Sequence, residues 1–313
     1  MSTRRIKVIE VPSELGAGTR GSSLGPTALR FADMNKGRKK INKYLTARVG
    51  DLNYMLSHNT AYEDAKNIDS ISQIINSIAL EVEKTLSEGE FPLIFSGDHS
   101  NAAGSIAGIK NYYDDKRLGV IWIDAHADIH SPLTTPSGNV HGMPMAVSLG
   151  IDNRENAINE EDEATMEYWN ELKYAGSKGI CPKILPSDIV YIDIRDLERQ
   201  EWEVIDNLNI EFYTPKEVKE IGIEKVAKET LEYLKDCDIL YVSFDVDSLD
   251  PSVSVGTGTP YPEGLNLYEA KTLLYNLLRD PKTIALEITE INPLLDSDNK
   301  MARAALEILE EVL

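Results

Sequence analysis

Short, mostly apolar runs rich in branched and aromatic side chains recur along the chain at 6–11, 91–95, 120–123, 189–194, 239–244 and 283–288. Their length and composition predict strands, and the run 120–123 reads as buried on both faces. Between them the apolar positions change period. Ile68, Ile71, Ile75, Ile78 and Val82 recur at helical spacing among polar residues, which predicts an amphipathic helix over about 63–86. The same pattern predicts helices over 102–109, 226–234, 267–278 and 301–313. Strands alternating with helices imply βαβ units and a mainly parallel sheet. No linker, repeat or low-complexity tract interrupts the pattern, so residues 1–313 read as one domain. Gly16, Gly18, Gly21 and Gly25 with Pro26 read as a flexible loop after the first strand. The acidic and amide-rich stretch 153–167 reads as an exposed excursion or the start of a helix.

Composition narrows the class. With 313 residues, 42% of them hydrophobic, the chain can bury a sizeable core. No apolar run approaches bilayer length and no signal-peptide core follows Met1, which predicts a soluble, unprocessed, cytoplasmic protein. Cys181 and Cys237 belong to no thiol-rich metal pattern. The net charge of −20 argues against nucleic acid or anionic membrane as partner and is compatible with a cationic substrate.

The polar residues that end the apolar runs carry the chemistry. The run closing at Ile123 delivers Asp124, His126 and Asp128 at alternate positions, followed by His130, Ser137, Asn139 and His141. In an extended or loosely turned segment the first three converge, while Ala125 and Ala127 point away and leave room. Carboxylates crowded beside an apolar strand repel each other and raise each other's pKa unless a cation neutralises them. The run 91–95 ends in Ser96-Gly-Asp-His-Ser100, the run 239–244 in Asp245-Val-Asp247, and the run 283–288 in Glu290 and Asn292. In parallel sheets ligands bind beyond the carboxyl ends of strands, where these residues fall. Four of the five histidines lie in these segments.

His99, Asp124, His126, Asp128, Asp245 and Asp247 are too many ligands for one small divalent ion, whereas two ions sharing bridging carboxylates would use them all. A thiolate-free, oxygen-rich set suits manganese better than structural zinc, although affinity order alone favours copper, nickel or zinc. Such a pair holds a water as hydroxide and aims it at an electrophilic carbon, which predicts metal-assisted hydrolysis. By position Asp128 can orient that hydroxide, His141 can carry protons to a leaving amine, and Glu290 can pair with a planar cationic group.

Taken together these blocks, with Asp250-Pro251 and Gly256-Thr-Gly-Thr-Pro260, resemble the ureohydrolase family, and the block 131–142 with Glu290-Ile-Asn-Pro293 is most similar to the arginases within it. The resemblance implies a three-layer α/β/α sandwich, a trimer or hexamer, and two Mn²⁺ per chain. It assigns His99, Asp124, Asp128 and Asp245 to one ion, and Asp124, His126, Asp245 and Asp247 to the other. His141 would be the proton shuttle and Glu290 the guanidinium partner, in hydrolysis of L-arginine to L-ornithine and urea. Ser137 and Asn139 would meet the substrate α-carboxylate, Thr259 would line the pocket, and Glu198 and Glu201 would lie near the α-amino group. His130 stands where arginases usually carry asparagine and Glu198 where aspartate is usual, and the loop 20–26 is slightly shorter than usual. These departures bear on substrate recognition and leave agmatine, a guanidino acid or formimidoylglutamate as alternative substrates. A metal-binding but catalytically silent relative is an alternative of another class, against which His141 and Glu290 count, because metal binding requires neither.

Overall fold

All six apolar runs form strands, and two short ones join them. In the computed structural model, which describes residues 4–37, 40–160 and 162–313, the strands are β1 (Ile6–Val11), β2 (Leu45–Arg48), β3 (Phe91–Ser96), β4 (Leu118–Ile123), β5 (Ile189–Ile192), β6 (Glu211–Tyr213), β7 (Ile239–Asp245) and β8 (Thr283–Thr289). They pair in the order β2-β1-β3-β8-β7-β4-β5-β6, and every pairing is parallel. The two unanticipated strands, β2 and β6, are the sheet edges. β2 is four residues long and mostly exposed, and β6 is only three residues long, so neither carries an apolar run for the sequence to display. Met1–Thr3, part of the start for which no targeting segment is expected, lie outside the described residues.

The helices are α1 (Gly25–Asn35), α2 (Ile68–Ser87), α3 (Ala102–Tyr112), α4 (Pro144–Leu149), α5 (Glu163–Lys173), α6 (Arg199–Leu208), α7 (Pro215–Ile221), α8 (Ile223–Tyr233), α9 (Leu267–Arg279) and α10 (Lys300–Val312). Side chains alternate across the strands and so feed two cores. Ile9, Ile94, Val120, Trp122, Tyr191 and Tyr241 pack with residues of α2 to α6 on one face. Val8, Leu93, Phe95, Ile121, Val242, Phe244 and Ile288 pack with α1 and α7 to α10 on the other. This is the three-layer α/β/α sandwich. No helix among the described residues is long and apolar enough to cross a membrane.

Three segments differ from the pattern reading. Gly25 and Pro26 open α1 instead of continuing a loop, because proline at the first helical positions supplies a suitable φ and needs no N–H. Helix α2 starts at Ile68, not near 63, since Asn67 is left-handed (φ 59°) and the Lys66 N–H is committed to the Gly138 carbonyl at 2.8 Å. Within 153–167, Asp162 caps α5 by accepting from the Thr165 N–H, and the helix buries Trp169; Glu161 lies outside the described residues.

Helices α2 and α3 approach closely over Gly104 and Gly108 of α3. A Cβ on Gly104 would lie 2.8 Å from the Ile75 carbonyl oxygen and 2.8 Å from Ile78 Cβ. In an exposed helix Gly→Ala stabilises by up to about 1 kcal/mol. Here Gly104→Ala is expected to lower stability by about 1–3 kcal/mol through overpacking, read as a fall in the urea midpoint at unchanged m-value.

Candidate metal centre

Because β3, β8, β7 and β4 are neighbours in the sheet, the polar residues that end them meet at one edge. His99 Nδ1 lies 3.0 Å from Asp124 Oδ2, 3.0 Å from Asp128 Oδ2 and 3.2 Å from Asp245 Oδ2. One ring nitrogen has at most one hydrogen to give. Both His99 Nδ1 and Asp124 Oδ2 are buried without a hydrogen-bond partner. His126 Nδ1 lies 3.3 Å from Asp124 Oδ1 and 3.1 Å from Asp247 Oδ2. Two donor groups thus overlap, His99–Asp124–Asp245 and Asp124–His126–Asp247. Asp124 turns one oxygen to each, and Asp128 flanks the first. Orphaned nitrogen and oxygen atoms converging in this way fit a pair of divalent cations bridged by a carboxylate.

The backbone achieves the convergence differently from a plain extended run. Ala125 and Ala127 are fully buried, as their inward packing requires. Asp128, however, is left-handed (φ 51°), and so is Glu290 (φ 64°). Positive φ on non-glycine residues is strained and persists where the surroundings enforce it. The Asp128 carbonyl accepts from the Met145 N–H at 3.0 Å, and the Glu290 N–H donates to the Gly97 carbonyl at 3.0 Å. Asp247 Oδ1 accepts from the Ala125 N–H at 3.2 Å, while Thr259 donates its hydroxyl to Asp247 Oδ2 at 3.1 Å.

Burial and mutual repulsion dominate the electrostatics. Burial, then the charge of Asp124, pushes the Asp128 carboxyl up to about 6. Burial and Asp247 drive Asp245 well above the usual carboxylate range. Burial also acts upward on Asp124, yet His126 and His99 outweigh it and hold this carboxyl low. The shared carboxylate is the one most firmly kept ionised.

His99, His126, Asp128, Asp245 and Asp247 line a cavity of about 240 Å³ together with His130, Ser137, Asn139, His141, Glu198, Glu201, Thr259 and Glu290; Asp124 sits behind it. Every residue expected to bind metal or substrate or to act in catalysis therefore lines this cavity except Asp124, which is grouped with residues that do. Glu290 Oε1 accepts from the His99 backbone N–H at 2.9 Å and lies 3.1 Å from His141 Nδ1. Burial lowers the His141 pKa, but contact with Glu290 outweighs this and raises it to about 9. Glu290 Oε2 points toward Gly258.

At the other end of the cavity His130 Nε2 lies 3.1 Å from Glu198 Oε2 and 3.5 Å from Glu201 Oε2. Glu198 and Glu201 also form the reciprocal cap that starts α6. His130 holds the half-exposed Glu198 low, whereas burial raises the enclosed Glu201. These three side chains form a further group with metal-binding spacing, but unlike His99 Nδ1 and Asp124 Oδ2 none of their atoms is buried without a hydrogen-bond partner.

Three residues near the site had no assigned role in the sequence reading. Lys66 Nζ donates to the Ser137 carbonyl at 2.6 Å and to Asn139 Oδ1 at 3.3 Å. Asp98 Oδ2 accepts from the Gly16 N–H at 3.0 Å and so ties the first loop to the site. Asp196 Oδ2 lies 3.5 Å from His126 Nε2. Asp98 stood within a recognised block, where a role could have been sought. Lys66 carried no signal, since only the folded loop brings it to 137–139.

A sequence model of the Arginase family matches residues 4–313. Arginase of Bacillus subtilis (strain 168) is 37% identical over 311 residues, covering 99% of this chain and 98% of that protein. Arginase of Bacillus caldovelox is 35% identical over 308 residues, covering 97% of this chain and 96% of its own. The crystal structure of the native Bacillus caldovelox arginase superposes with a TM-score of 0.83 at 34% identity, over 99% of this chain and 98% of that one. Sheet order, strand-end donor groups and full-length similarity agree, and the chain belongs to the Arginase family.

Proposed function

We propose that the protein hydrolyses the guanidinium group of L-arginine to L-ornithine and urea, with two Mn²⁺ held by His99, Asp124, Asp128 and Asp245 on one side and by Asp124, His126, Asp245 and Asp247 on the other. The observation that carries this reading is the pair of donor groups sharing Asp124, in a cavity that His141 and Glu290 also line. Full-length kinship with proteins named arginase supports the substrate. When bound, such an ion pair supplies an activated water as nucleophile at neutral pH. The donors are oxygens and imidazole nitrogens without thiolate, which supports manganese over structural zinc.

The chain's own residues bind, orient and move protons. Glu290 fixes Oε1 on the His99 amide and His141 and leaves Oε2 for the planar cationic group of the substrate. Asp128, which lines the cavity, would orient the attacking water. His141, protonated at neutral pH because of Glu290, gives its proton to the departing amine. Lys66 engages the Asn139 side-chain oxygen, which leaves the amide N–H groups for the α-carboxylate, and the Ser137 hydroxyl beside it accepts from the Asn139 backbone N–H. Glu198, with His130 and Glu201 behind it, faces the α-amino group, and Thr259 steadies Asp247 at the rim. The same reading includes a homotrimer or homohexamer in the cytoplasm, the reducing compartment that suits the two free cysteines.

Manganese-loaded protein is expected to release urea from L-arginine in strong preference to agmatine or 4-guanidinobutyrate and to leave formimidoylglutamate uncleaved, and metal-stripped protein to release none. Preference for another substrate in this panel would overturn the specificity, and silence on all four would overturn the catalytic reading. Asp128→Asn should retain the circular dichroism spectrum while urea release falls by at least ~10²-fold. The raised pKa of His141 sets the sign of the alkaline limb: kcat is expected to fall as pH rises through about 9. In His141→Ala, kcat should be lower by ~10²–10⁴-fold and that limb should disappear, as measured by steady-state rates from pH 6 to 10.

A further inference from the structure

A buried carboxylate lies beneath the metal centre, and none of the roles above uses it. Trp122, Ser243 and Glu287 are register partners across β4, β7 and β8, so their side chains form one row on the same face of the sheet. The His99 ring lies on that row, stacked on Trp122 at 4.0 Å and 8°, with Nε2 2.7 Å from Ser243 Oγ. With a cation held at Nδ1, Nε2 would carry the hydrogen and donate it to Ser243 Oγ. Glu287 is fully buried. Its Oε2 accepts from the Tyr241 hydroxyl at 2.7 Å and from Ser105, while Oε1 has no partner. Tyr241 stands two residues before Ser243 on β7, so their side chains are neighbours on the same face of the sheet.

A carboxylate left half-satisfied in a dry core costs stability, so its presence calls for a compensating role. Metal-ligating histidines characteristically give their second N–H to an acceptor, which fixes tautomer and ring orientation and strengthens the ligand. We propose that Glu287, acting through Tyr241 and Ser243, is a positioning residue that locks His99 as the Nε2–H tautomer with Nδ1 presented to the metal, and so sets the affinity of one of the two ions. This rests on the two-ion reading above. It predicts an asymmetry, because His126 in the other donor group lies instead beside the half-exposed Asp196.

The test is Mn²⁺ titration of the full-length protein by chelator competition, with the spin-coupled electron paramagnetic resonance signal of the ion pair followed in parallel. In Glu287→Gln one ion should bind about 10–100-fold more weakly and the other as in the unsubstituted protein. The coupled signal should give way to that of a single ion at limiting metal and return at excess metal, together with kcat. Ser243→Ala and Tyr241→Phe should weaken the same ion, and the Ser243→Ala, Glu287→Gln pair should be less than additive. Unchanged constants in Glu287→Gln, or equal weakening of both ions with a lowered Tm, would overturn the proposal. If Glu287→Gln does not fold, the other two variants decide it by the same criteria. Unsubstituted protein that binds two ions but cleaves no arginine would defeat the functional reading and leave this one standing.

Discussion

Four aspartates and two histidines are packed at the carboxyl ends of neighbouring strands, and the repulsion among those carboxylates is the constraint to which the rest of the structure answers. Burial and Asp124 push Asp128 up, and burial and Asp247 push Asp245 up. Two imidazoles cannot neutralise the set, since His99 Nδ1 faces three carboxylate oxygens at once. Divalent cations can, and their binding energy would then become part of the folding energy of this region.

The scaffold that holds the repelling groups together is stiff. Strands β3, β7 and β4 are buried throughout and β8 is buried except at Ile284, so the strand ends have little freedom to relax. Two of the ten non-glycine residues with positive φ among the described residues, Asp128 and Glu290, stand at the proposed site. Below them the row Trp122, Ser243 and Glu287 continues polar contacts into the core, which ties ligand geometry to strand register.

The two ends of the cavity were unequally legible beforehand. The metal end is written in compact blocks, because each strand contributes its ligands within five residues of its last apolar position. His99, Asp124, Asp245 and Glu290 all stand this close to a strand end. The substrate end is assembled from loops. His130, Glu198 and Glu201 meet only because the turn after β4 and the start of α6 fold against one another, and Lys66 reaches Ser137 and Asn139 from a distant loop.

By itself the sequence determined the alternation of buried strands and amphipathic helices, and with it a parallel sheet and the chemistry at its strand ends. Those features follow from local periodicity and from residues adjacent in the chain. Only the tertiary structure decided the edge strands β2 and β6, the later start of α2, the left-handed turn at Asp128, the pairing of His130 with two glutamates and the burial of Glu287 under His99. Each of these depends on which distant segment lies alongside: a short edge strand gains its hydrogen bonds from a neighbour, and a buried carboxylate its partners from another strand and a helix. Periodicity along the chain cannot specify such contacts.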